Sequence, residues 1–271
     1  MGSPTTTPVP RLRVLSLGAG VQSTTLALMA AHGEIGPMPD CAIFADTGWE
    51  PRAVYEHLER LREALPFPVY IVSAGDIRGD AIAKTNTTGQ RFAAIPWFVR
   101  SPRGKDGIGR RQCTKEYKLE PIRRKVSELI HRKRQRGAVE MWIGISLDEA
   151  WRMKPSRRQY IVNRWPLLER HMRRRDCETV LARLGWKAPK SACIGCPFHD
   201  DTMWRDLRDN SPDEFADACE VDRIIRRQPG MRGEQFMHRS RVPLDEVDFS
   251  TAAERGQPDL FLNECEGMCG V

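Results

Sequence analysis

Residues 13–32, RVLSLGAGVQSTTLALMAAH, contain the part of the chain that decides the fold. The run RVLSL is typical of a short buried strand, and it leads into a turn with glycines at positions 18 and 20. The next residues, 23–32, predict a helix with enough apolar side chains for burial against a sheet. A strand, a glycine turn and a helix in this order indicate the first unit of an α/β domain.

The same alternation continues along the chain. The predicted elements that follow are a strand at 41–46, an amphipathic helix at 51–65, a strand at 68–72, a long functional loop with little regular structure at 76–111, a helix at 117–136 and a strand at 139–145. Beyond residue 147 the pattern changes to helices and loops. Strands that alternate with helices at this spacing predict a doubly wound, mostly parallel, Rossmann-like α/β sheet with helices on both faces.

Three regions are predicted. Residues 1–10 are proline-rich and predict a flexible leader, residues 11–190 an α/β nucleotide-binding domain, and residues 191–271 a cysteine-bearing helical and loop region packed on the same domain. The composition, 40% hydrophobic and 29% charged, is typical of a folded chain. No apolar run approaches the ~18 residues that a membrane-spanning helix requires, so we expect a cytoplasmic protein without a membrane contact.

The net charge of +7 is distributed unevenly. Residues 123–136 contain seven Lys or Arg and one Glu, and residues 152–175 contain nine and one. Such runs are often solvated helix faces, but they also suit an anionic partner such as a nucleotide, a sulfonucleotide or a nucleic acid. The charge pattern by itself leaves these partners open.

The turn after the first strand has the composition of a phosphate-binding loop. Backbone amides at the glycines and at the helix N-terminus, together with serine hydroxyls, can donate to phosphate oxygens. The loop lacks the lysine of a P-loop and the third glycine of a dinucleotide-binding turn. The residues of this segment that we predict to bind a nucleotide are Ser16, Gly18, Gly20, Gln22, Ser23 and Thr24.

Asp46 ends the second predicted strand, where doubly wound folds place their ligands. A carboxylate at this position can hold Mg²⁺ beside a triphosphate, so we predict a catalytic role for Asp46 and nucleotide contacts for Asp46 and Thr47. The alternative is structural, since Asp and Thr also cap turns well.

Four further segments match a known pattern in the same order. They are residues 44–51 (FADTGWEP), residues 111–121 (RQCTKEYKLEP), residues 144–152 (GISLDEAWR) and residues 193–196 (CIGC). With the glycine loop, they resemble the PP-loop ATP pyrophosphatase superfamily, in particular its phosphoadenosine-phosphosulfate reductase-like branch. The resemblance implies an adenine nucleotide alpha hydrolase-like fold, ATP with Mg²⁺, and nucleotide contacts from Gly144 and Arg152. An exposed ion pair at a helix start would explain Asp148, Glu149 and Arg152 equally well.

The chain has eight cysteines and no export signal, which favours metal binding or redox chemistry over a disulfide framework. Three of them lie singly in apolar or helical stretches and are predicted core residues: Cys41, Cys177 and Cys219.

Cys193 and Cys196 form a C-x-x-C pair, a spacing compatible with zinc, an iron–sulfur cluster or a redox disulfide. The family resemblance places Cys113 at the same site, and the C-terminal tail offers the grouped candidate for a fourth thiolate. Our leading hypothesis is a [4Fe–4S] cluster held by Cys113, Cys193, Cys196 and Cys265. Structural zinc with the same ligands, together with His199, is the alternative.

Cys265 and Cys269 lie in the terminal sequence NECEGMCGV. This sequence is similar to the mobile Glu-Cys-Gly terminus that carries the nucleophile of sulfonucleotide reductases, so both cysteines are candidate catalytic residues. One of them could ligate iron while the other reacts. In a further version, one iron has no protein thiolate and binds sulfide for transfer.

These features lead to three hypotheses about function. The first is a PP-loop ATP pyrophosphatase-type enzyme that adenylylates a nucleobase or nucleic acid, tRNA or DNA, for iron–sulfur-dependent sulfur transfer from a sulfur donor protein. The second is a sulfonucleotide reductase with a C-terminal nucleophilic cysteine and a thiol reductant protein as partner. The third is a non-catalytic, zinc-containing nucleic-acid-binding module, which would need neither the glycine loop nor Asp46.

Overall fold

The structure is a computed structural model that describes residues 10–83, 95–102, 104–228, 233–250 and 254. Its strands are β1 (Leu12–Leu17), β2 (Cys41–Asp46), β3 (Val69–Ser73), β4 (Phe98–Arg100), β5 (Gly107–Ile108), β6 (Val139–Ile143), β7 (Ile161–Arg164) and β8 (Glu234–Phe236). Its α-helices are α1 (Val21–Ala31), α2 (Arg52–Ala64), α3 (Ile77–Ala83), α4 (Glu120–Leu129), α5 (Pro166–Glu169), α6 (Arg174–Arg183), α7 (Asp201–Asn210) and α8 (Pro212–Ile225). A π-helix spans Thr114–Leu119, and 3₁₀ helices span Leu147–Arg152 and Leu244–Glu246.

Five strands form one parallel sheet in the order β3-β2-β1-β6-β7. The chain first builds outward from β1 through β2 to β3, and then returns to place β6 on the other side of β1. Because the direction of building reverses at β1, strands β1 and β6 form the switch point of the sheet, and a crevice lies beyond their carboxyl ends. This topology confirms the predicted doubly wound, mostly parallel α/β fold.

Helices cover both faces of the sheet because its central strands are apolar on both sides. Leu15 and Leu17 of β1 pack with α1, α2 and α6 on one face, while Val14 packs with α4 on the other. Burying one such side chain contributes roughly 1.5–3 kcal/mol relative to leaving it exposed. The face toward α1 also contains the fully buried Trp142 of β6.

The C-terminal part of the described chain packs on the sheet domain through a further apolar cluster. This cluster joins α7 and α8 to residues from the first half of the chain, with Trp97, Tyr117 and Trp204 fully buried in it. Strands β5, β4 and β8 form a second, antiparallel sheet in which the central β4 pairs with β5 on one side and with β8 on the other. Residues 191–250 therefore share their apolar core with residues 49–117.

Several elements differ from the sequence-based expectations. The segment 76–111, predicted to have little regular structure, contains α3, β4 and β5. The helix predicted to reach residue 136 ends at Leu129, and His131 and Arg132 have the positive φ angles of a left-handed turn. The region predicted to contain helices and loops also contributes the edge strand β7. Its sequence, IVNR, is only four residues long and has one fully buried position, which is too little for a strand prediction.

The three cysteines predicted to be core residues are buried. Burial raises the pKa of the thiols of Cys41, Cys177 and Cys219 to about 12, so they remain protonated at neutral pH. No helix within the described ranges is long and apolar enough to cross a membrane. Apart from Pro10, the predicted leader lies outside the described residues.

A buried histidine should make the fold sensitive to acid. His57 of α2 shares a hydrogen bond of 2.9 Å with the hydroxyl of Thr24 on α1, and burial, with Arg60 nearby, lowers its pKa to about 4. The folded state thus favours the neutral ring. Its contribution to stability is present above the unfolded pKa of about 6.5 and is lost as the pH falls from there to about 4.

We therefore expect His57→Gln to flatten the pH dependence of the free energy of unfolding by about 1–2 kcal/mol between pH 7 and pH 5. Chemical denaturation at both pH values measures this difference. His32→Gln, at an exposed position after α1, is the matched control and should behave as wild type. An unchanged pH dependence in His57→Gln would contradict this prediction.

Candidate functional site

The crevice between the carboxyl ends of β1 and β6 is lined by the glycine loop, the loops after β6 and the π-helix. Its lining residues are Ser16, Leu17, Gly18, Gly20, Gln22, Ser23, Phe44, Ala45, Lys118, Leu119, Ile122, Ile143, Gly144, Ile145, Glu149, Arg152 and Ser191. The enclosed volume is about 90 Å³. Sites that enclose a whole ligand typically measure ~300–1,000 Å³, so a nucleotide here would lie largely in an open groove.

The glycine loop is held in shape by its own serine. The hydroxyl of Ser23 accepts a hydrogen bond from the Gly18 amide at 3.1 Å and donates to the Gly20 carbonyl at 3.3 Å. Helix α1 begins directly after Gly20, and no side chain caps its first turn. The first amides of the helix therefore remain available to an anion in the crevice.

Two close approaches explain why glycine stands at two positions of the crevice. A Cβ on Gly144 would lie 2.9 Å from the amide nitrogen of Ser23, because the loop after β6 crosses directly over the glycine loop. A Cβ on Gly20 would lie 2.4 Å from the hydroxyl of Ser191. The segment that leads to the cysteine pair thus packs against the glycine loop.

A buried ion pair forms the wall opposite the glycine loop. Arg152 Nη1 lies 2.7 Å from Glu149 Oε2, and both residues are only 9% exposed. The sequence also allowed an exposed ion pair at a helix start. The structure shows the Glu149–Arg152 pair at that place, but both side chains are buried rather than exposed. Arg152 lines the crevice and is held by Glu149, and its nucleotide contact stays a prediction. Asp148 instead accepts a hydrogen bond from the backbone amide of Arg174 at 2.5 Å.

Lys118 is a crevice residue that was not among the predicted site residues. It lies in the π-helix, and its ammonium is 3.6 Å from Glu50 Oε1. A single π-helical turn within a helix is a common feature of functional sites, because it changes the direction in which side chains project. No local sequence signal separates Lys118 from its exposed neighbour Lys115, since the difference arises from the π-helical geometry.

Behind Lys118 lies a buried cluster that joins the crevice to the cysteine pair. Glu50 Oε1 accepts hydrogen bonds from the Thr47 hydroxyl at 3.0 Å and from the Cys193 thiol at 3.4 Å. The Thr47 oxygen also lies 3.3 Å from Cys193 Sγ. Glu50 is only 4% exposed. Its carboxylate is stabilised there by these donors and by the charge of Lys118.

Three predicted nucleotide contacts lie away from the crevice lining. Thr24 and Thr47 are fully buried and bond to His57 and Glu50 respectively. Asp46 Oδ1 accepts from the Gly48 amide and from the Tyr55 hydroxyl, each at 2.8 Å. Gly48 has a φ of +75°, so Asp46 caps the turn after β2, which is the structural role considered above. The catalytic role of Asp46 stays a prediction.

The cysteine loop, residues 193–196, is anchored on Trp49. The Ile194 amide donates to the Trp49 carbonyl at 2.9 Å, and a Cβ on Gly195 would lie 2.1 Å from the indole ring. The Trp49 indole in turn donates to Asp217 of α8 at 2.7 Å. Contacts from both halves of the chain therefore hold the cysteine loop beside the turn that follows β2.

The cysteine loop contains donors that suit a metal or an iron–sulfur cluster. Cys193 and Cys196 are buried, and Cys113 lies at the N-terminal end of the π-helix. Within the described ranges, however, no three His, Cys, Asp or Glu residues are grouped closely enough to hold a metal ion. The predicted fourth ligand, Cys265, and the candidate catalytic Cys269 lie outside the described residues. The ligand set therefore stays a prediction.

His199 adds a nitrogen donor three residues after Cys196. Both of its ring nitrogens are buried without a side-chain partner among the described residues, and the backbone of Cys193 lies near the ring. Burial lowers its pKa to about 4, so the ring is neutral at pH 7, the form that ligates metals. Two buried thiols and a neutral imidazole are donor types that metals take, but within the described ranges the three are not grouped as one site.

A second cavity, of about 480 Å³, lies on the other side of this segment, between α2, α7 and the start of α8. Ser191 lines the crevice, whereas Ala192 and His199 line this cavity. Residues 191 and 192, directly before the cysteine loop, therefore lie between the crevice and the second cavity.

The close approach of Gly144 gives a test of the crevice. We expect Gly144→Ala to displace the glycine loop, to destabilise the fold by about 1–3 kcal/mol through overpacking, and to weaken ATP binding at least tenfold. Thermal unfolding and calorimetry measure these effects. Gly107→Ala, where a Cβ meets nothing within 4 Å, is the control. Wild-type ATP affinity in Gly144→Ala would contradict the assignment of the crevice.

No protein-family model matches the chain, and no curated protein matches it. Among solved structures, the chain is similar to a crystal structure of phosphoadenylyl-sulfate (PAPS) reductase from Candida auris in complex with phosphate. The TM-score is 0.40 and the identity 13%, over 68% of this chain and 77% of the other. A likeness of this size carries no argument about activity, and the fold class follows from the strand order itself.

Proposed function

We propose that the chain is a PP-loop-type enzyme that binds ATP in the crevice, adenylylates a nucleobase or nucleic acid, and uses the cysteine loop for sulfur transfer. The observation that carries this proposal is the line of contacts from the crevice through Lys118 and Glu50 to Cys193. These contacts measure 3.6 Å and 3.4 Å. A nucleotide site and a thiol site are thus coupled through one buried carboxylate.

The crevice supplies what adenylylation needs. Amides of the glycine loop can bind phosphate oxygens, and Lys118 and Arg152 can neutralise the charge that develops at the α-phosphate. In this step an oxygen of the acceptor attacks the α-phosphorus of ATP. The bond from phosphorus to the bridging oxygen breaks, and pyrophosphate leaves with the bonding electrons.

The second step replaces the activated oxygen with sulfur. Hydrosulfide, or sulfur delivered at the same oxidation level by a donor protein, adds to the activated carbon and loses its proton. The carbon–oxygen bond then breaks, and AMP leaves with the former acceptor oxygen. No electrons are gained or lost. Cys193 is hydrogen-bonded to Glu50, whose carboxylate also pairs with Lys118 of the crevice, and this contact supports a role for the cysteine loop in the sulfur step.

A bound [4Fe–4S] cluster would be held by Cys113, Cys193, Cys196 and Cys265. In the version in which Cys265 is not a ligand, the iron without a protein thiolate would hold sulfide at the oxidation level that this chemistry needs. Because the segment around Ala192 and His199 faces a separate cavity, a sulfur donor could approach without displacing the nucleotide.

Sulfonucleotide reduction is the second candidate, and the same contacts favour it. A crevice that binds an adenine nucleotide next to a buried thiol also suits adenylyl sulfate or its 3′-phosphorylated form, with Cys265 or Cys269 as nucleophile. The two functions differ in their products, pyrophosphate in the first and sulfite in the second.

We expect anaerobically purified protein to release pyrophosphate from ATP when a nucleobase or nucleic-acid acceptor is added. Lys118→Met should lower this rate about 10²-fold, the usual loss when one charge-stabilising donor is removed. Lys115→Met, at an exposed position of the same π-helix, should leave the rate unchanged.

Removing Lys118 also leaves the buried carboxylate of Glu50 without its cation. The double variant Glu50→Gln/Lys118→Met removes that charge, so it should recover stability in thermal unfolding but not activity. Pyrophosphate release within twofold of wild type in both variants would contradict the role of Lys118. Sulfite release from adenylyl sulfate, without pyrophosphate release from ATP, would favour the reductase.

The metal prediction is tested by quantifying iron, acid-labile sulfide and zinc in anaerobically purified protein. We expect about four iron and four sulfide per chain, lost in Cys193→Ser and in Cys196→Ser but retained in Cys177→Ala, a variant of the apolar core. Loss in Cys265→Ala but not in Cys269→Ala would identify the fourth ligand. Stoichiometric zinc that depends on His199 would instead support the structural zinc site.

A further inference from the structure

The 3₁₀ helix Leu147–Arg152 has one face in the crevice and the other in solvent. Glu149 and Arg152 are buried and line the crevice. Trp151 lies between them in sequence and is 73% exposed, the most exposed of the large apolar side chains in the described residues. A tryptophan in water at the edge of a nucleotide crevice is unusual, because an indole normally contributes more when buried.

The exposed apolar surface continues along the chain from Trp151. Met153 is 48% exposed, and Val162 of the edge strand β7 is 50% exposed. The carbonyl of Lys154 accepts a hydrogen bond of 2.9 Å from the side chain of Asn163, so the segment after the 3₁₀ helix is tied to β7. Met153 and Val162 therefore lie on two segments that this hydrogen bond holds together.

The same segment is strongly basic. Lys154, Arg157 and Arg158 are exposed, and none of the three forms an ion pair within the described part of the chain. No acidic residue occurs between positions 150 and 168. We call residues 151–158 the rim segment. It combines an exposed indole with three cations that have no acidic neighbour in sequence.

We propose that the rim segment binds single-stranded nucleic acid, with Trp151 stacked on an unpaired base and the three cations bound to the flanking phosphates. This inference rests on the proposed function, because it places the acceptor strand at the edge of the ATP crevice. Exposed aromatic residues interleaved with cations are the usual means of binding single strands, since every base has a face for stacking.

The charge also argues against the main alternative occupant, a second copy of this chain. Two rim segments brought together would place like charges against one another without acidic partners, which is unfavourable. A nucleic-acid strand instead releases counterions as its phosphates meet Lys154, Arg157 and Arg158.

The test measures binding of a fluorescent 20-nucleotide single strand, as RNA and as DNA, by anisotropy without ATP. We expect Trp151→Ala to weaken binding about 10- to 100-fold and Trp151→Phe to restore most of it, because stacking is the interaction removed. Ile108→Ala, which removes another exposed apolar side chain, should bind as wild type.

Salt dependence tests the cations. The slope of the logarithm of the binding constant against the logarithm of salt should fall in magnitude by about 1.4 in Arg157→Ala/Arg158→Ala, since each single-strand phosphate contact contributes ~0.7. Arg227→Ala, at an exposed arginine elsewhere, should leave the slope unchanged.

Wild-type affinity in Trp151→Ala, or equal binding of a blunt duplex and the single strand, would overturn the inference. So would a concentration-dependent dimer that Trp151→Ala abolishes. Strand binding through Trp151 without pyrophosphate release would leave this inference standing and contradict the proposed function. Acceptor-dependent pyrophosphate release that is unaffected in Trp151→Ala would contradict this inference and leave the proposed function standing.

Discussion

One buried carboxylate, that of Glu50, sets the relative positions of the three segments that make the site. It belongs to the turn after β2, accepts hydrogen bonds from Thr47 and the cysteine loop, and pairs with Lys118 of the π-helix. The Glu50 side chain is only 4% exposed, so burying its carboxylate without these partners would be costly. Removing one partner from a buried ion pair typically costs about 3–5 kcal/mol. The Glu50 carboxylate therefore holds the crevice residue Lys118 and the Cys193 thiol in fixed positions relative to each other.

The parallel sheet provides the frame on which this carboxylate acts. Strand β2 delivers Glu50 at the same edge of the sheet where β1 delivers the glycine loop and β6 delivers Gly144. The loop after β6 can cross the glycine loop only because position 144 has no side chain. Strand order thus decides where the crevice lies, and two glycine contacts decide how closely its walls approach.

Much of this frame could be predicted from the sequence, because its signals are local. The strand CAIFAD and the helix of residues 52–64 were predicted within one residue of their observed ends, since an unbroken apolar run and an amphipathic period are local patterns. The glycine loop was recognised in the same way. Seven of the ten predicted nucleotide contacts line the crevice: Ser16, Gly18, Gly20, Gln22, Ser23, Gly144 and Arg152.

The residues that sequence reasoning missed depend on contacts between distant segments. Glu50 is buried by residues 68 and 143 positions further along the chain, and neither separation produces a periodic signal. Lys118 faces the crevice because the π-helix redirects it. For Asp46 the difficulty is different, because the sequence predicts it as a site residue whereas its described contacts cap a turn. A carboxylate at a strand end looks the same in sequence whether it binds an ion or caps a turn.

The basic run 152–175 shows what the structure adds to a count of charges. Most of its arginines with described partners stabilise the fold: Arg152 pairs with Glu149, Arg164 with Glu169 and Glu140, and Arg174 with Glu178. Arg170 donates to the carbonyl of Glu34. Lys154, Arg157 and Arg158 of the rim segment, by contrast, are exposed and form no ion pair within the described residues. A basic stretch that looks uniform in the sequence therefore contains arginines that pair within the fold and cations that remain exposed in the rim segment.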